Sequence, residues 1–284
     1  MALIMKSKPV VDAIRDAIVP RVAQLKECGI TPTLGIVRVG DRPDDLSYER
    51  TAIKRAESLG IATQVFALDA QVSEEDLLEQ LRIINDTTAI NGCLMFRPLP
   101  EFIDEKRVCD ALVIHKDIDG ISTASLGAVF SDDPQVFAPC TAEACLTMLD
   151  HYDIPVAGKH VVVVGRSLVI GKPVAMLLLK RNASVTMCHS RTEDLRSLTR
   201  QADIVVCATG RPKAFDHTYF SAGQTVIDVG ISFDDEGNLC GDVDFDDVEP
   251  LVGALTPVPG GIGSVTTSVT MEHTVRAAEQ QAGE

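Results

Sequence analysis

Four consecutive valines, Val161 to Val164, followed by Gly165-Arg166-Ser167-Leu168-Val169-Ile170-Gly171-Lys172-Pro173, restrict this chain more than any other segment. An unbroken β-branched run has no polar face to offer water, so it suits a central parallel strand buried on both sides. Gly165 stops the run, and Pro173, with its fixed φ and missing N–H, fits the first turn of a following helix. A strand, a tight turn and a helix N-terminus make a corner where backbone N–H groups and the helix dipole face an anion. The spacing is G-x-S-x-x-x-G-x-P and not the dinucleotide fingerprint G-x-G-x-x-G. Taken alone, the segment serves equally as a phosphate cradle or as a plain connector.

The rest of the chain alternates between helical and strand patterns. Val11, Ile14, Ile18, Val22 and Leu25 form a helical stripe over 9–28 that ends at Gly29, and Pro20 is expected to bend or shorten it. A strand over 33–39 follows, then a helix carrying Leu46, Ile53, Ala56 and Leu59 and stopped by Gly60. Next come a strand over 62–68, a helix capped by Ser73 and Asp76, and a strand over 92–96 closed by Pro98-Leu99-Pro100. After the valine strand the pattern predicts a helix over 173–181, a strand over 184–188, a helix over 193–202 and strands over 203–207 and 224–229. Thr256-Pro257-Val258-Pro259-Gly260-Gly261-Ile262-Gly263 is a constrained loop shaped to approach something closely, ahead of a helix from about Val265. Alternation of this kind predicts an α/β protein of two domains, with parallel sheets covered by helices. The turn to Pro and Gly over 153–158 places the boundary near 150, giving an N-terminal α/β domain (1–150) and a Rossmann-type nucleotide-binding domain (151–265).

A net charge of −15 disfavours non-specific nucleic-acid binding. No apolar run reaches the roughly 20 residues that span a bilayer. The first residues turn polar too quickly for a signal peptide, so a cytoplasmic protein with no membrane association is expected. Eight scattered cysteines without a C-x-x-C pair read as buried, reduced thiols and not as a zinc site. An NAD site usually ends its second strand with an acid that holds the ribose hydroxyls. Here that strand ends His189-Ser190-Arg191-Thr192. Ser190, Arg191 and Arg166 offer donors and positive charge suited to a 2′-phosphate, which favours NADP with NAD as the alternative.

Five segments occur together in one order: Gly165 to Pro173, Cys188-His189-Ser190-Arg191-Thr192, Val226-Ile227-Asp228-Val229-Gly230, Gly241-Asp242-Val243-Asp244 and Thr256 to Gly263. The N-terminal half adds Val39-Gly40-Asp41 with Tyr48, Pro98-Leu99-Pro100, Asp117-Ile118-Asp119-Gly120 and Pro139-Cys140-Thr141. In this set the chain resembles the methylenetetrahydrofolate dehydrogenase/methenyltetrahydrofolate cyclohydrolase family along nearly its whole length. The resemblance implies a folate-binding N-terminal domain, a Rossmann domain, a C-terminal helix (266–284) that returns to the first domain, and a homodimer. It also implies one-carbon chemistry: oxidation of 5,10-methylenetetrahydrofolate with hydride passing to NAD(P), then hydrolysis to 10-formyltetrahydrofolate. Carried over residue by residue, Tyr48 and Asp119 become the catalytic candidates. Gly165, Arg166, Ser167, Ile170, Gly171, Pro173, Ser190, Arg191, Ile231 and Thr141 become cofactor contacts. Tyr48, Asp119, Pro98, Leu99, Pro259, Gly260 and Gly261 become substrate contacts, and no metal is implied. Asp119 would take the amino-pyrimidine edge of the pterin, Tyr48 would stack on or orient the folate, and Cys140 would join Thr141 in lining the cofactor cleft. His189 is read as a strand-end histidine without a catalytic role.

The departures point to a divided activity. The family pairs its tyrosine with a lysine one helical turn on, and that position is Ala52. Lys54 is rotated from it by roughly 200° about the helix axis and reads as a solvated surface residue. The family's glutamine before Pro-Leu-Pro is Phe96, and the proline usual after its Gly-Gly-x-Gly loop is Ser264. Hydride loss from the methylene bridge is driven by the neighbouring nitrogen lone pair and mainly needs positioning. Hydrolysis of the methenyl cation needs an activated water and a proton shuttle, which alanine and phenylalanine cannot supply. The expectation is therefore a retained dehydrogenase with a weak or absent cyclohydrolase. Two alternatives stand beside it: a non-catalytic folate- or nucleotide-binding relative, and a Rossmann oxidoreductase with a changed substrate.

Overall fold

A computed structural model describes residues 2–283. In chain order the strands are β1 (Leu3–Ile4), β2 (Thr33–Val39), β3 (Ala62–Leu68), β4 (Gly92–Met95), β5 (His160–Val164), β6 (Ser184–Cys188), β7 (Ile204–Cys207), β8 (Thr225–Asp228), β9 (Ser232–Phe233), β10 (Leu239–Cys240) and β11 (Ala254–Leu255). The helices are α1 (Ser7–Glu27), α2 (Pro43–Leu59), α3 (Glu74–Asp86), α4 (Glu105–Asp110), α5 (Thr123–Phe130), α6 (Cys140–His151), α7 (Gly171–Lys180), α8 (Leu195–Arg200), α9 (Phe245–Val248) and α10 (Ile262–Ala282). The chain forms two compact units, Met1–Asp12 with Thr141–Thr266, and Ala13–Cys140 with Thr267–Glu284.

These limits differ from a cut near residue 150. The first strand belongs with the nucleotide-type sheet, since β1 pairs in parallel with β11 and the Met5 amide donates to Leu255 O at 2.9 Å. Tyr152 ties the start of the chain to the same unit by donating from its hydroxyl to Lys6 O at 2.8 Å. The end of the chain, from Thr267 onward, belongs to the other unit. There Arg21 of α1 bonds Glu279 at 2.6 Å and Glu272 at 3.1 Å.

The unit of residues 13–140 and 267–284 is built on the parallel sheet β3-β2-β4. Side chains alternate faces along a strand. Leu34 and Ile36 of β2 and Leu94 of β4, with Phe96 just beyond it, therefore pack one way, against Ile18, Val22, Ala52, Ala56, Met271 and Val275. Val37, Val39, Cys93 and Met95 pack the other way, against Leu77, Leu81 and Ile84 of α3 and Val108 of α4. Ser73 caps α3 by accepting from the Asp76 amide at 3.1 Å, and Gly60 closes α2 at φ 74°. Pro20 lies inside α1 without shortening it. Both Pro20 and Asp16, whose carbonyl loses its helical donor, are exposed, so water satisfies the gap.

The unit of residues 1–12 and 141–266 carries the all-parallel sheet β1-β11-β8-β7-β5-β6. The valine strand β5 sits inside it, with all four valines at most 2% exposed. From β6 the chain crosses back over β5 to β7, so the order of the sheet switches between β5 and β7. Crevices at the carboxyl ends of such strands are where doubly wound folds bind ligands. α7 starts at Gly171, two positions before the expected Pro173, and α10 starts at Ile262. α8 is shorter than the 193–202 pattern, because Asp194 turns left-handed at φ 47° and caps it by accepting from the Ser197 amide. Seven cysteines are buried and Cys28 is exposed, against the expectation of uniformly buried thiols. No helix among the described residues is long and apolar enough to cross a membrane.

Candidate cofactor and substrate sites

The corner after β5 is held by contacts that exclude side chains. A Cβ on Gly165, which has φ +136°, would lie 2.3 Å from Ala208 O, and one on Gly171 would lie 2.3 Å from Gly165 O. The turn, the start of α7 and the end of β7 therefore touch backbone to backbone. Ser167 Oγ accepts from the Ile170 amide at 3.1 Å and tightens the turn ahead of the helix, while Pro173 is buried in the first turn. Among the described residues the amides of Arg166, Leu168 and Val169 find no acceptor within the protein. That leaves a row of donors at a helix N-terminus, which fits a phosphate. At the end of β6, the His189 amide donates to Thr192 Oγ1 at 2.8 Å and the Arg191 amide to His189 Nδ1 at 3.1 Å. This turn leaves Ser190 and Arg191 exposed. Neither Arg191 nor Arg166, also exposed, has an ion-pair partner among the described residues, although acids outnumber bases 41 to 26 in the chain.

The same unit holds a cavity of about 150 Å³ lined by Asp228, Gly230, Ile231, Leu239 and the loop Pro257 to Ser264. Val258–Pro259 is a cis peptide within that loop. Ile231 is 63% exposed, and a Cβ on Gly263 would come within 3.4 Å of its Cδ1. Ile231, Pro259, Gly260 and Gly261, drawn from separate stretches of sequence, thus share one wall. Thr141 lies in the first turn of α6, half-buried, with its carbonyl accepting from the Cys145 thiol.

In the other unit, Tyr48 packs at the edge of the apolar cluster that contains Ala52 and Phe96. Its ring meets that of Phe96 at 5.4 Å between centroids, inclined by 52°. Ala52 is 0% exposed and Phe96 6%, whereas Lys54 is exposed, on the opposite side of α2. The Tyr48 hydroxyl bonds the hydroxyls of Thr267 and Thr270 on α10. Burial pushes its pKa upward, the charge of Asp119 pushes the same way, and the two threonines oppose.

The two aspartates of Asp117-Ile118-Asp119-Gly120 divide their roles. Asp117 is 0% exposed and fully engaged, accepting from the Ile121 and Ser122 amides at 2.9 Å and from Ser125 Oγ at 2.6 Å. Asp119 is half-buried, and its Oδ1 accepts from the Cys140 amide at 3.0 Å. Gly120 makes that meeting possible, because a Cβ there would lie 2.7 Å from Phe137 O and 2.8 Å from Pro139 N. Burial pushes the Asp119 carboxyl upward, against the Cys140 amide and the positive charge of Arg97. Cys140 itself faces inward, its thiol 3.3 Å from Ile118 O. Pro98 follows a cis peptide and is exposed. Leu99 instead points into the core on the α3 side of the sheet, which leaves it a packing residue. Thr267, Thr270 and Arg97 escaped the sequence reading. The signal for the threonines was the cluster of hydroxyl residues Thr266, Thr267, Ser268 and Thr270 early in α10.

Comparison with known proteins agrees with the two-domain α/β fold. Residues 5–119 match the family model for the tetrahydrofolate dehydrogenase/cyclohydrolase catalytic domain, and residues 139–282 match that for its NAD(P)-binding domain. The bifunctional protein FolD of Carboxydothermus hydrogenoformans is 50% identical over 281 residues, covering 98% of each chain. The crystal structure of bifunctional FolD, methylenetetrahydrofolate dehydrogenase/cyclohydrolase, from Campylobacter jejuni superposes with a TM-score of 0.96 at 31% identity, over 99% of both chains. The Trypanosoma brucei enzyme, solved with NADP cofactor and an inhibitor, gives a TM-score of 0.94 at 32% identity, covering 100% of this chain and 99% of that one. The chain belongs to the tetrahydrofolate dehydrogenase/cyclohydrolase family.

Proposed function

We propose that the protein oxidises 5,10-methylenetetrahydrofolate to the 5,10-methenyl form with NADP as hydride acceptor, and that its capacity to hydrolyse the methenyl product is weak or absent. The observation that carries the second half is the apolar surrounding of Tyr48: Ala52 and Phe96 are both buried in its cluster. Asp119 holds the pterin through its carboxylate, and Tyr48 orients the folate from the edge of that cluster. The free amides after Gly165, with Arg166, Ser190 and Arg191, hold the phosphates of the cofactor, and the unpaired arginines supply the preference for NADP. Held there, the cofactor would supply the hydride acceptor. No side chain has to remove a proton from the reacting carbon, so the oxidation depends on positioning. Water attack on the methenyl group is different. The Tyr48 phenol, its pKa raised by burial, is a poor base, and the position one helical turn on is Ala52.

Mixing the protein with methylenetetrahydrofolate and NADP, while following nicotinamide reduction and methenyl absorbance together, tests both halves. Reduction with methenyl product accumulating in equal amount is expected. Release of 10-formyltetrahydrofolate at the rate of reduction would remove the second half. Binding without reduction points to a non-catalytic relative, and absence of both signals to another substrate. Homodimeric assembly and a cytoplasmic location belong to the same proposal, and light scattering and cell fractionation check them.

The cofactor corner makes its own prediction. Gly171→Ala places a methyl against the Gly165 carbonyl, prising α7 from the turn. At a strain of about 1–3 kcal/mol, the KM for NADP rises about tenfold or more while the KM for the folate stays within about twofold. Initial-rate kinetics with each substrate varied in turn gives both values, and equal rises in the two would place the corner outside the cofactor site.

A further inference from the structure

Asp228, at the end of β8, and Asp242, just after β10, are 3% and 0% exposed. Asp228 Oδ1 accepts from the amides of Gly230 at 2.9 Å and Asp242 at 3.0 Å, and its Oδ2 accepts from the Val243 amide at 2.9 Å. Asp242 Oδ1 accepts from the Arg211 amide at 2.9 Å. Its Oδ2 accepts from the Thr209 amide, from Thr209 Oγ1 at 2.9 Å and from the Gly210 amide at 3.3 Å. The neighbouring glycines complete the arrangement. A Cβ on Gly241 would lie 2.0 Å from Asp228 Oδ2, and a Cβ on Gly230 would lie 2.3 Å from Asp242 Oδ1. Each segment omits a side chain where the carboxylate of the other sits, so the two aspartates form a reciprocal clasp.

The clasp joins three pieces of backbone. Residues 209–211 follow β7 at the switch of the sheet, and their neighbour Ala208 abuts Gly165 through its carbonyl oxygen. Residues 229–231 form a wall of the 150 Å³ cavity, and residues 241–243 return from the hairpin β9–β10 whose Leu239 lines the same space. We propose that Asp228 and Asp242 are positioning residues for the nicotinamide cofactor, and that ionising Asp228 loosens the cavity wall and weakens cofactor binding.

The inference rests on reading this unit as the NADP site. Asp242 is faced by four donors and Asp228 by three. Burial, the largest influence, pushes the Asp228 carboxyl up to about 7; three amides oppose and the Asp242 charge adds to the rise. The other titratable groups facing Asp228 are the thiols of Cys207 on β7 and Cys240 on β10, both pushed up by burial and so neutral. An aspartate in the unfolded chain releases its proton near pH 4. The native state thus holds a proton that the unfolded chain has given up. Its stabilising contribution is complete below about pH 4 and is lost as pH rises through about 7.

Binding of NADPH and NADH, followed by fluorescence of the reduced nicotinamide from roughly pH 5.5 to 8.5, tests the clasp. In the unaltered protein the Kd of both cofactors is expected to rise about fivefold or more through a single step near neutrality. A step seen with NADH separates this titration from that of the 2′-phosphate, which NADH lacks. Asp228→Asn flattens the profile, and Asp242→Asn weakens binding about tenfold at every pH by stranding its donors. A Kd independent of pH for both cofactors overturns the proposal without any variant, as does a step that survives Asp228→Asn. Binding with a flat profile removes the clasp alone, whereas no binding of either cofactor removes the NADP reading with it.

Discussion

A chain carrying Ala52→Lys together with Phe96→Gln is expected to hydrolyse the methenyl product about 100-fold faster than its parent, with the dehydrogenase rate changed less than tenfold. Residue 52 follows Tyr48 by four positions, so at about 3.6 residues per turn the two share one face of α2. An amine placed there enters the cluster of Leu34, Ile36, Leu94 and Ile118. Low-dielectric surroundings disfavour its charged form and bring its pKa down toward the working pH, which is the state a general base needs. Glutamine at 96 supplies an amide to orient the amine and, being slimmer than the phenyl ring, makes room for it. Packing the longer side chain and burying new polar groups cost about 1–3 kcal/mol, so the melting temperature falls while the fold holds. Phe96→Gln alone gains nothing, because no base has been added. Decay of methenyl absorbance, corrected for spontaneous hydrolysis, gives the rate. A double variant with unaltered circular dichroism and cofactor binding but no faster hydrolysis would mean that these two positions are not what the site lacks.

The second large effect is on stability. Arg38→Met is expected to cost about 3 kcal/mol, since it strands a charge that the fold has enclosed. Arg38 shares a face of β2 with Ile36 and Leu34 and so points toward α2. There its Nε donates to Glu49 Oε2 at 2.9 Å, with the two side chains only 8% and 13% exposed. Its Nη1 reaches Gly40 O and the exposed Asp41 carboxylate. Glu49 adjoins Tyr48, so this pair sets the seat of α2 on the sheet at the turn that carries the catalytic candidate. The melting temperature should fall by roughly 6–12 °C. The double variant Arg38→Met/Glu49→Leu should recover more than half of that loss, because replacing both partners leaves no stranded charge. Thermal unfolding of the two single variants and the double variant measures the coupling. Additive losses would show a pair that solvent still screens.

Much of the fold was legible along the chain. The valine run with its glycine turn specified a central parallel strand and the corner after it, and β2, β3 and β6 begin and end where alternation predicted. Such features are local: strand periodicity, capping and turn chemistry act over a few residues, so neighbours in sequence encode them. Pro20 shows the limit of that logic, since its effect on α1 depended on whether the freed carbonyl faced water.

The strand–turn–helix corner and the family motifs were determined by the sequence alone. What the tertiary structure decided is which polar groups are already spoken for. Asp117 and Asp119 look alike in Asp117-Ile118-Asp119-Gly120, yet only the fold commits Asp117 to three donors and leaves Asp119 half exposed against the Cys140 amide. Thr267 and Thr270 reach Tyr48 from more than 200 positions away, and β1 joins a sheet whose next strand begins at Ala254. The reciprocal seating of Asp228 and Asp242 likewise requires two loops to meet face to face. A hydrogen bond is directional and saturable, so whether a side chain is free for chemistry depends on what long-range packing sets opposite it, and no local pattern carries that information.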